Sequence, residues 1–426
     1  MKAAFDREII NPILPVGMEG YTEARFQLNQ SEAQLAKAPE EGLRQATGIR
    51  DDLLMDTILF SDNDKEMFFF ILDVGMIEKR TADQARKYLM ENCNVDPESV
   101  SISVGHTHNG PLVTTGIDFE LPYNEEYWQM IFEKMSYAVR QCRRNLTEVH
   151  AEYDCHPING YYNNRNHPEE AYFDKAMELT VYTEKNIPLF RLLNIACHPT
   201  ILGIQNVMIS NDFFAVLRRY IQGYTGIPVS IINGEAGDVS PRLMKKGTDW
   251  NEAIRYGEGI GAQLLDSHMP IKVDLDHIKK KWVRFHVDYV PAENEFLLAT
   301  KAKLQKEIST LQPGSRRYKM ATQVELYDVN DKLSKDRITF DTEALTVDFG
   351  GFRIVAVPCE IDTVLGTMIR NIDDKPTFLA AYSNGFDYYA VNKDEFGQVF
   401  ESFVTHYPYG DADSFVEKIV NEAKKL

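Results

Sequence analysis

Four apolar runs in this chain each open, without a spacer, into a polar loop containing glycine or proline. Val100–Val104 leads into Gly105-His106-Thr107-His108-Asn109-Gly110-Pro111. Leu189–Ala196 leads into Cys197-His198-Pro199-Thr200. Val229–Ile232 leads into Asn233-Gly234-Glu235-Ala236-Gly237-Asp238-Val239-Ser240-Pro241, and Phe352–Val357 into Pro358-Cys359-Glu360. Short β-branched runs with such punctuation read as buried strands. Met67–Val74 and Thr377–Ala381 have the same character. Between the runs lie helical patterns: Arg80–Cys93, Glu125–Arg144, Asp212–Gly223 behind a Ser210-Asn211 cap pair, Trp250–His268, Asp362–Ile372 and a terminal helix over Asp411–Leu426. Strands alternating with helices predict an α/β fold, with a largely parallel or mixed sheet core and flanking helices. In an open sheet of parallel neighbours, ligands bind beyond the carboxyl ends of the strands, so the four loops are expected to share one cleft.

The stretch 274–347 departs from that rhythm. A polar strand-like piece, His277–Val290, is followed by a charged helical region, Ala292–Leu333, which predicts an α+β excursion consisting of an edge strand, a helical hairpin and a return. No repeat or low-complexity segment divides the 426 residues, so a single domain over 1–426 is expected.

Charge narrows the partners. The net charge is −18, which repels nucleic acid and anionic membrane surfaces. No apolar run reaches the ~18 residues of a membrane span. Met1 to Asp6 carries charge and no apolar leader, predicting a cytoplasmic protein, or a secreted one if a leader has been removed. The five cysteines contain no CxxC pair, which argues against a disulfide framework or a thiolate metal site. Cys197 and Cys359 are read as packing beneath the loops.

The loops carry the chemistry. His106 and His108 are two apart, so an extended backbone would put both imidazoles on one side, a common way to offer nitrogen ligands to zinc. The other reading is a pair of half-buried hydrogen-bonding histidines. His198 ends an apolar strand and serves equally as a core histidine or a ligand. Glu360 stands just before a helix, where an acid is favoured by the helix dipole or available to a metal. Two histidines and a carboxylate make an ordinary catalytic zinc set with room for water. Asp238 to Pro241 is either a site loop or a turn in which Asp and Ser bond their own backbone. Arg165, in Asn163-Asn164-Arg165-Asn166, holds a substrate oxygen or is a plain surface residue.

In order along the chain, these motifs resemble the neutral/alkaline (non-lysosomal) ceramidase family, specifically its N-terminal catalytic domain. The resemblance rests on Gly105 to Pro111, Asn164-Arg165-Asn166, Ala196-Cys197-His198-Pro199, Ser210-Asn211-Asp212, Gly237-Asp238-Val239-Ser240-Pro241-Arg242, Val357-Pro358-Cys359-Glu360 and Ser383-Asn384-Gly385-Phe386-Asp387-Tyr388-Tyr389. It implies a zinc-dependent hydrolase of a linear amide, acting on a small-molecule or lipid-like N-acyl substrate. The zinc ligands it implies are His106, His198, Glu360 and Tyr389, the last preferred to Tyr388 for its distance to Glu395-Phe396. It implies that His108 binds substrate or water and shuttles the proton, and that Arg165 and Ser240 lie near the scissile amide.

The chain departs from the family at Asn109, Arg242 and Cys359, and shows neither a secretion signal nor a C-terminal immunoglobulin-like domain. Those changes leave the implied ligands and alter the pocket. Other zinc hydrolases fit less well. Asn109-Gly110 stand where a metallo-β-lactamase has Asp-His, and eight regular βα units do not accommodate the 274–347 excursion. A catalytically silent binding protein on the same fold is the rival from outside the enzymes.

Overall fold

The structure is a computed structural model that describes residues 1–21, 44–63, 65–114, 124–266 and 269–426. Its largest sheet is built from β1 (Lys2–Ile9), β2 (Leu54–Asp62), β3 (Lys65–Leu72), β4 (Val100–Val104), β5 (Thr147–Pro157), β6 (Lys175–Thr183), β7 (Pro188–Ile195) and β8 (Val229–Asn233). Their spatial order is β8-β7-β6-β5-β1-β2-β3-β4, and the short strand Ile271–Val273 adds to β5. A second sheet runs β9 (Leu275–Tyr289), β10 (Ile338–Gly350), β11 (Arg353–Ala356) and β12 (Thr377–Ala380).

The sheets are mixed. Only β3–β4, β7–β8 and β11–β12 pair in parallel, and the other neighbours are antiparallel. The expectation that the four loop-bearing strands are parallel neighbours in one sheet is therefore corrected. β4 and β8 lie at opposite ends of the large sheet, and β11 belongs to the other sheet. The strands that sequence reading passed over are antiparallel, and two of them, β2 and β6, are largely buried but carry polar residues (Asp56 and Thr57, Glu178 and Thr180) that interrupt the apolar run. In β5, Thr147 to Pro157, charged and apolar residues alternate, and no continuous apolar run marks it.

The loops converge by a different route. Residues 381–384, just beyond β12, lie between the two ends of the large sheet. Ala381 N–H donates to the Asn233 carbonyl at the end of β8. On the other side Val104 N–H donates to Tyr382, Asn384 N–H donates to Ile102, and Ile102 N–H donates to the Asn384 side chain. The buried Asn194 amide on β7 joins the sheets further back, donating to the Ile232 and Leu379 carbonyls and accepting from Leu379 N–H.

Aromatic packing holds the sheets face to face. Phe60 and Phe69 of the large sheet meet Phe349 and Phe378 of the second and the adjacent Phe352; the Phe60–Phe349 centroids are 4.8 Å apart and Phe349 stacks on Phe352 at 4.6 Å. Each such buried ring contributes roughly 1.5–3 kcal/mol. Helices cover the outer faces, giving an α/β/β/α stack. Glu125–Arg144 packs Trp128, Ile131 and Met135 on β1–β4, Asp212–Thr225 and Trp250–Asp266 cover β7 and β8, and Thr363–Arg370 with Asp411–Ala423 covers the second sheet.

Helix bounds follow the sequence patterns closely. The Asp212 helix continues past Gly223 to Thr225, and Gly226, in the left-handed conformation, ends it. Residues 267–268, expected at the end of the Trp250 helix, lie outside the described residues. Asn211 does not cap with its side chain; the Ser210 hydroxyl accepts from Asp212 N–H, and Asn211 donates to Asp73. In the excursion, β9 is the edge strand and β10 the return, with helices Glu295–Ile308 and Leu326–Ser334 between them. Among the described residues no helix is long and apolar enough to cross a membrane.

Candidate metal centre

At the seam bridged by residues 381–384, three imidazoles and one carboxylate meet. His106 Nε2 lies 3.3 Å from His108 Nε2 and 3.3 Å from Glu360 Oε2, and His198 Nε2 lies 2.9 Å from the same Glu360 oxygen. His106, His198 and Glu360 are each about 95% buried or more. A nitrogen from each histidine lies within 4.8 Å of the others.

Local folding explains the arrangement. His106 has φ +62°, a left-handed conformation uncommon outside glycine, so the strand breaks there. The extended His-Thr-His geometry expected from sequence is thus replaced by a turn, which brings the two rings edge to face at 4.9 Å. Thr107 Oγ1 ties the turn to the Ser210 carbonyl. The Asn109 side-chain oxygen accepts from Arg44 and Asn206. Glu360 pairs in parallel with Tyr389 in a two-residue ladder, and Gly237 N–H donates to the Ile361 carbonyl. A Cβ at Gly237 would fall 2.7 Å from that carbonyl oxygen, so only glycine lets this loop approach so closely.

Hydrogen bonds fix what the imidazoles offer. His106 Nδ1 is 2.9 Å from the Gly75 carbonyl and His198 Nδ1 is 3.2 Å from the Val239 carbonyl, so each Nδ1 carries the proton and each Nε2 a lone pair. Burial pushes His198 down to about 4, which keeps that ring neutral. It also pushes His108 well down, assisted by the neighbouring imidazoles. Lone pairs on two nitrogens therefore each face the same carboxylate oxygen, at 3.3 and 2.9 Å, an arrangement that repels unless a cation lies among them. A tetrahedron with bonds of about 2.0–2.1 Å has edges of about 3.3–3.4 Å, so this donor set fits a zinc-sized ion. Among the described residues, His108 Nδ1 and the Tyr382 hydroxyl are buried at the seam with no hydrogen-bond partner.

The other expected residues are placed as follows. The Tyr389 hydroxyl accepts from Arg165 at 3.3 Å, whereas the Tyr388 ring packs on His406 at 3.8 Å. Arg165 is neither surface-exposed nor unpaired. Its Nε donates to Glu401 at 2.7 Å, and Asn166 donates to the other Glu401 oxygen. Burial lowers the Arg165 guanidinium, but Glu401 outweighs that and raises it, so the charge stays. Ser240 is buried and its Oγ accepts from Arg242 N–H, the turn reading; it pairs in a short ladder with Asn163, and its neighbour Val239 supplies the carbonyl that orients His198. Asp238 instead accepts from Thr363 and Asn164, which fastens the loop to the Glu360 strand end. Burial pushes the Cys197 and Cys359 thiols well up, as suits packing groups.

Two residues escaped the sequence reading. Glu401 interrupts the apolar run Val399-Phe400-Glu401-Ser402-Phe403, and an acid so placed is a signal of a buried partner. Tyr382 stacks on His106 at 4.1 Å with rings 13° apart; its only sequence mark is an aromatic at the end of an apolar run.

No family model matches this chain, and no curated protein matches it in sequence. Solved structures do match. The crystal structure of neutral ceramidase from Pseudomonas aeruginosa is 15% identical with a TM-score of 0.75, over 100% of this chain and 74% of that one. A ceramidase complexed with C2 is 13% identical with a TM-score of 0.75, over 100% of this chain and 75% of that one. The chain has a neutral ceramidase-like fold.

Proposed function

We propose that the protein is a zinc-dependent hydrolase of a linear N-acyl amide, with a small-molecule or lipid-like substrate. The observation that carries this reading is the convergence of His106 Nε2, His198 Nε2 and Glu360 Oε2, each presenting a lone pair to the same point. A fold shared with two ceramidases supports the choice of an amide as substrate.

His106, His198, Glu360 and Tyr389 would hold the ion, Tyr389 coming from the strand paired with Glu360. Zinc bound there supplies a Lewis acid for the carbonyl and lowers the pKa of a bound water. His108, 3.3 Å from His106, would take a proton from the attacking water and pass it to the leaving nitrogen. Arg165 orients the Tyr389 phenol and lends positive charge to the developing oxyanion, while Glu401 keeps the guanidinium in place. Ser240, next to the Val239 carbonyl that orients His198, would line the amide side of the site.

The test is metal analysis of the purified protein, followed by hydrolysis of a panel of N-acyl amides of varied chain length and head group. One zinc per chain and release of a free acid from at least one member are expected. Protein that neither carries zinc nor retains it after reconstitution would falsify the reading.

A further inference from the structure

We propose that Tyr382 is a substrate-contacting residue, its hydroxyl donating a hydrogen bond to the acyl oxygen of the bound amide. This inference rests on the function proposed above.

Tyr382 is fully buried, and its hydroxyl has no hydrogen-bond partner among the described residues. A buried, unsatisfied hydroxyl costs about 1–3 kcal/mol, and a phenylalanine would fill the same space without that cost. The backbone there adds strain, since φ is +54° in a bulky residue. Both costs fall where substrate chemistry is expected. The Tyr382 carbonyl accepts from Val104, two residues before His106, and its N–H donates to Cys359, next to Glu360. The ring lies flat on His106 at 4.1 Å. A donor held there without a protein acceptor matches a ligand oxygen that arrives with the substrate. The nearby Tyr389 hydroxyl, by contrast, already accepts from Arg165.

The experiment compares the zinc-loaded full chain with its Tyr382→Phe and Tyr382→Leu variants. Zinc content, melting temperature and binding of acetohydroxamate, whose carbonyl mimics the acyl oxygen, are measured for each. For Tyr382→Phe the expected result is unchanged zinc, an equal or higher melting temperature, and about ten- to a hundredfold weaker acetohydroxamate binding. Tyr382→Leu is expected to lose stability as well, because it removes the ring from His106. Wild-type binding by Tyr382→Phe overturns the proposal. So does loss of zinc or a lowered melting temperature in that variant, either of which assigns the hydroxyl a ligand or structural role. A wild-type protein without zinc sinks the underlying function instead, and is recognised before any variant is compared.

Discussion

Glu360 Oε2 lies 2.9 Å from His198 Nε2, although 162 residues separate them in the chain, and the only proton on that imidazole is committed to the Val239 carbonyl. The contact is therefore not an ordinary hydrogen bond between neutral histidine and carboxylate. It has the spacing of two ligands on one ion.

His106→Ala and Glu360→Ala are each expected to lower zinc affinity by more than about a hundredfold while far-ultraviolet circular dichroism stays native. Zinc titration against a chelator measures this. Loss with His106→Ala alone would remove Glu360 from the ligand set.

Arg165 and Glu401 form a buried pair, with side chains 7% and 2% exposed. Glu401→Ala leaves the guanidinium uncompensated and should cost about 3 kcal/mol in urea unfolding. Arg165→Met with Glu401→Leu should recover most of that stability and still be inactive on any amide the wild type cleaves. Recovery of activity in the double variant would deny Arg165 its place in the site.

Glu19, which is not among the proposed metal ligands, gives a pH dependence of its own. Burial raises its carboxyl to about 8. The native state then holds a proton that the unfolded chain gives up near its ordinary value of 4.5. Stability from Glu19 is therefore complete below about 4.5 and is lost as pH rises towards 8, on the order of 4 kcal/mol at the upper end. Glu19→Gln should match wild type at pH 5 and exceed it at pH 8, as read from urea midpoints. Equal midpoints at both pH values would show that the carboxyl is not perturbed.

Asn194→Ala removes three hydrogen bonds and strands both backbone groups of Leu379 between the sheets. A loss of about 3 kcal/mol is expected. Because residues 381–384 follow directly, zinc affinity should fall as well. A stability loss with unchanged zinc affinity would show that the seam holds its shape without the amide.

The strand ends bearing His106, His198 and Glu360 were legible because the signal is local: an apolar run stops at a polar, Gly- or Pro-bounded loop. Their convergence was legible only in outcome. Parallel neighbours were the expected cause, and the bridging of a mixed sheet's two ends by residues 381–384 is the observed one. No pattern near Val100 or Val229 announces that Asn384 and Ala381 will pair with their strands. The antiparallel strands such as Leu54–Asp62 and Thr147–Pro157 were lost because polar and charged residues interrupt their apolar runs. Tyr382 and Glu401 were missed because what gives each its meaning, His106 for one and Arg165 for the other, lies more than 200 residues away in sequence.

The bridge at 381–384 also sets a timetable for synthesis. A chain made from its amino terminus lays down every other strand of both sheets before these residues exist. Until they leave the ribosome the two ends of the large sheet have no strap between them, and Glu360 has no Tyr389 strand to pair with. A nascent chain stalled short of Tyr389 can carry His106 and His198 in finished strands and still be unable to close around an ion, so the proposed metal capture would wait for synthesis of the Tyr389 strand.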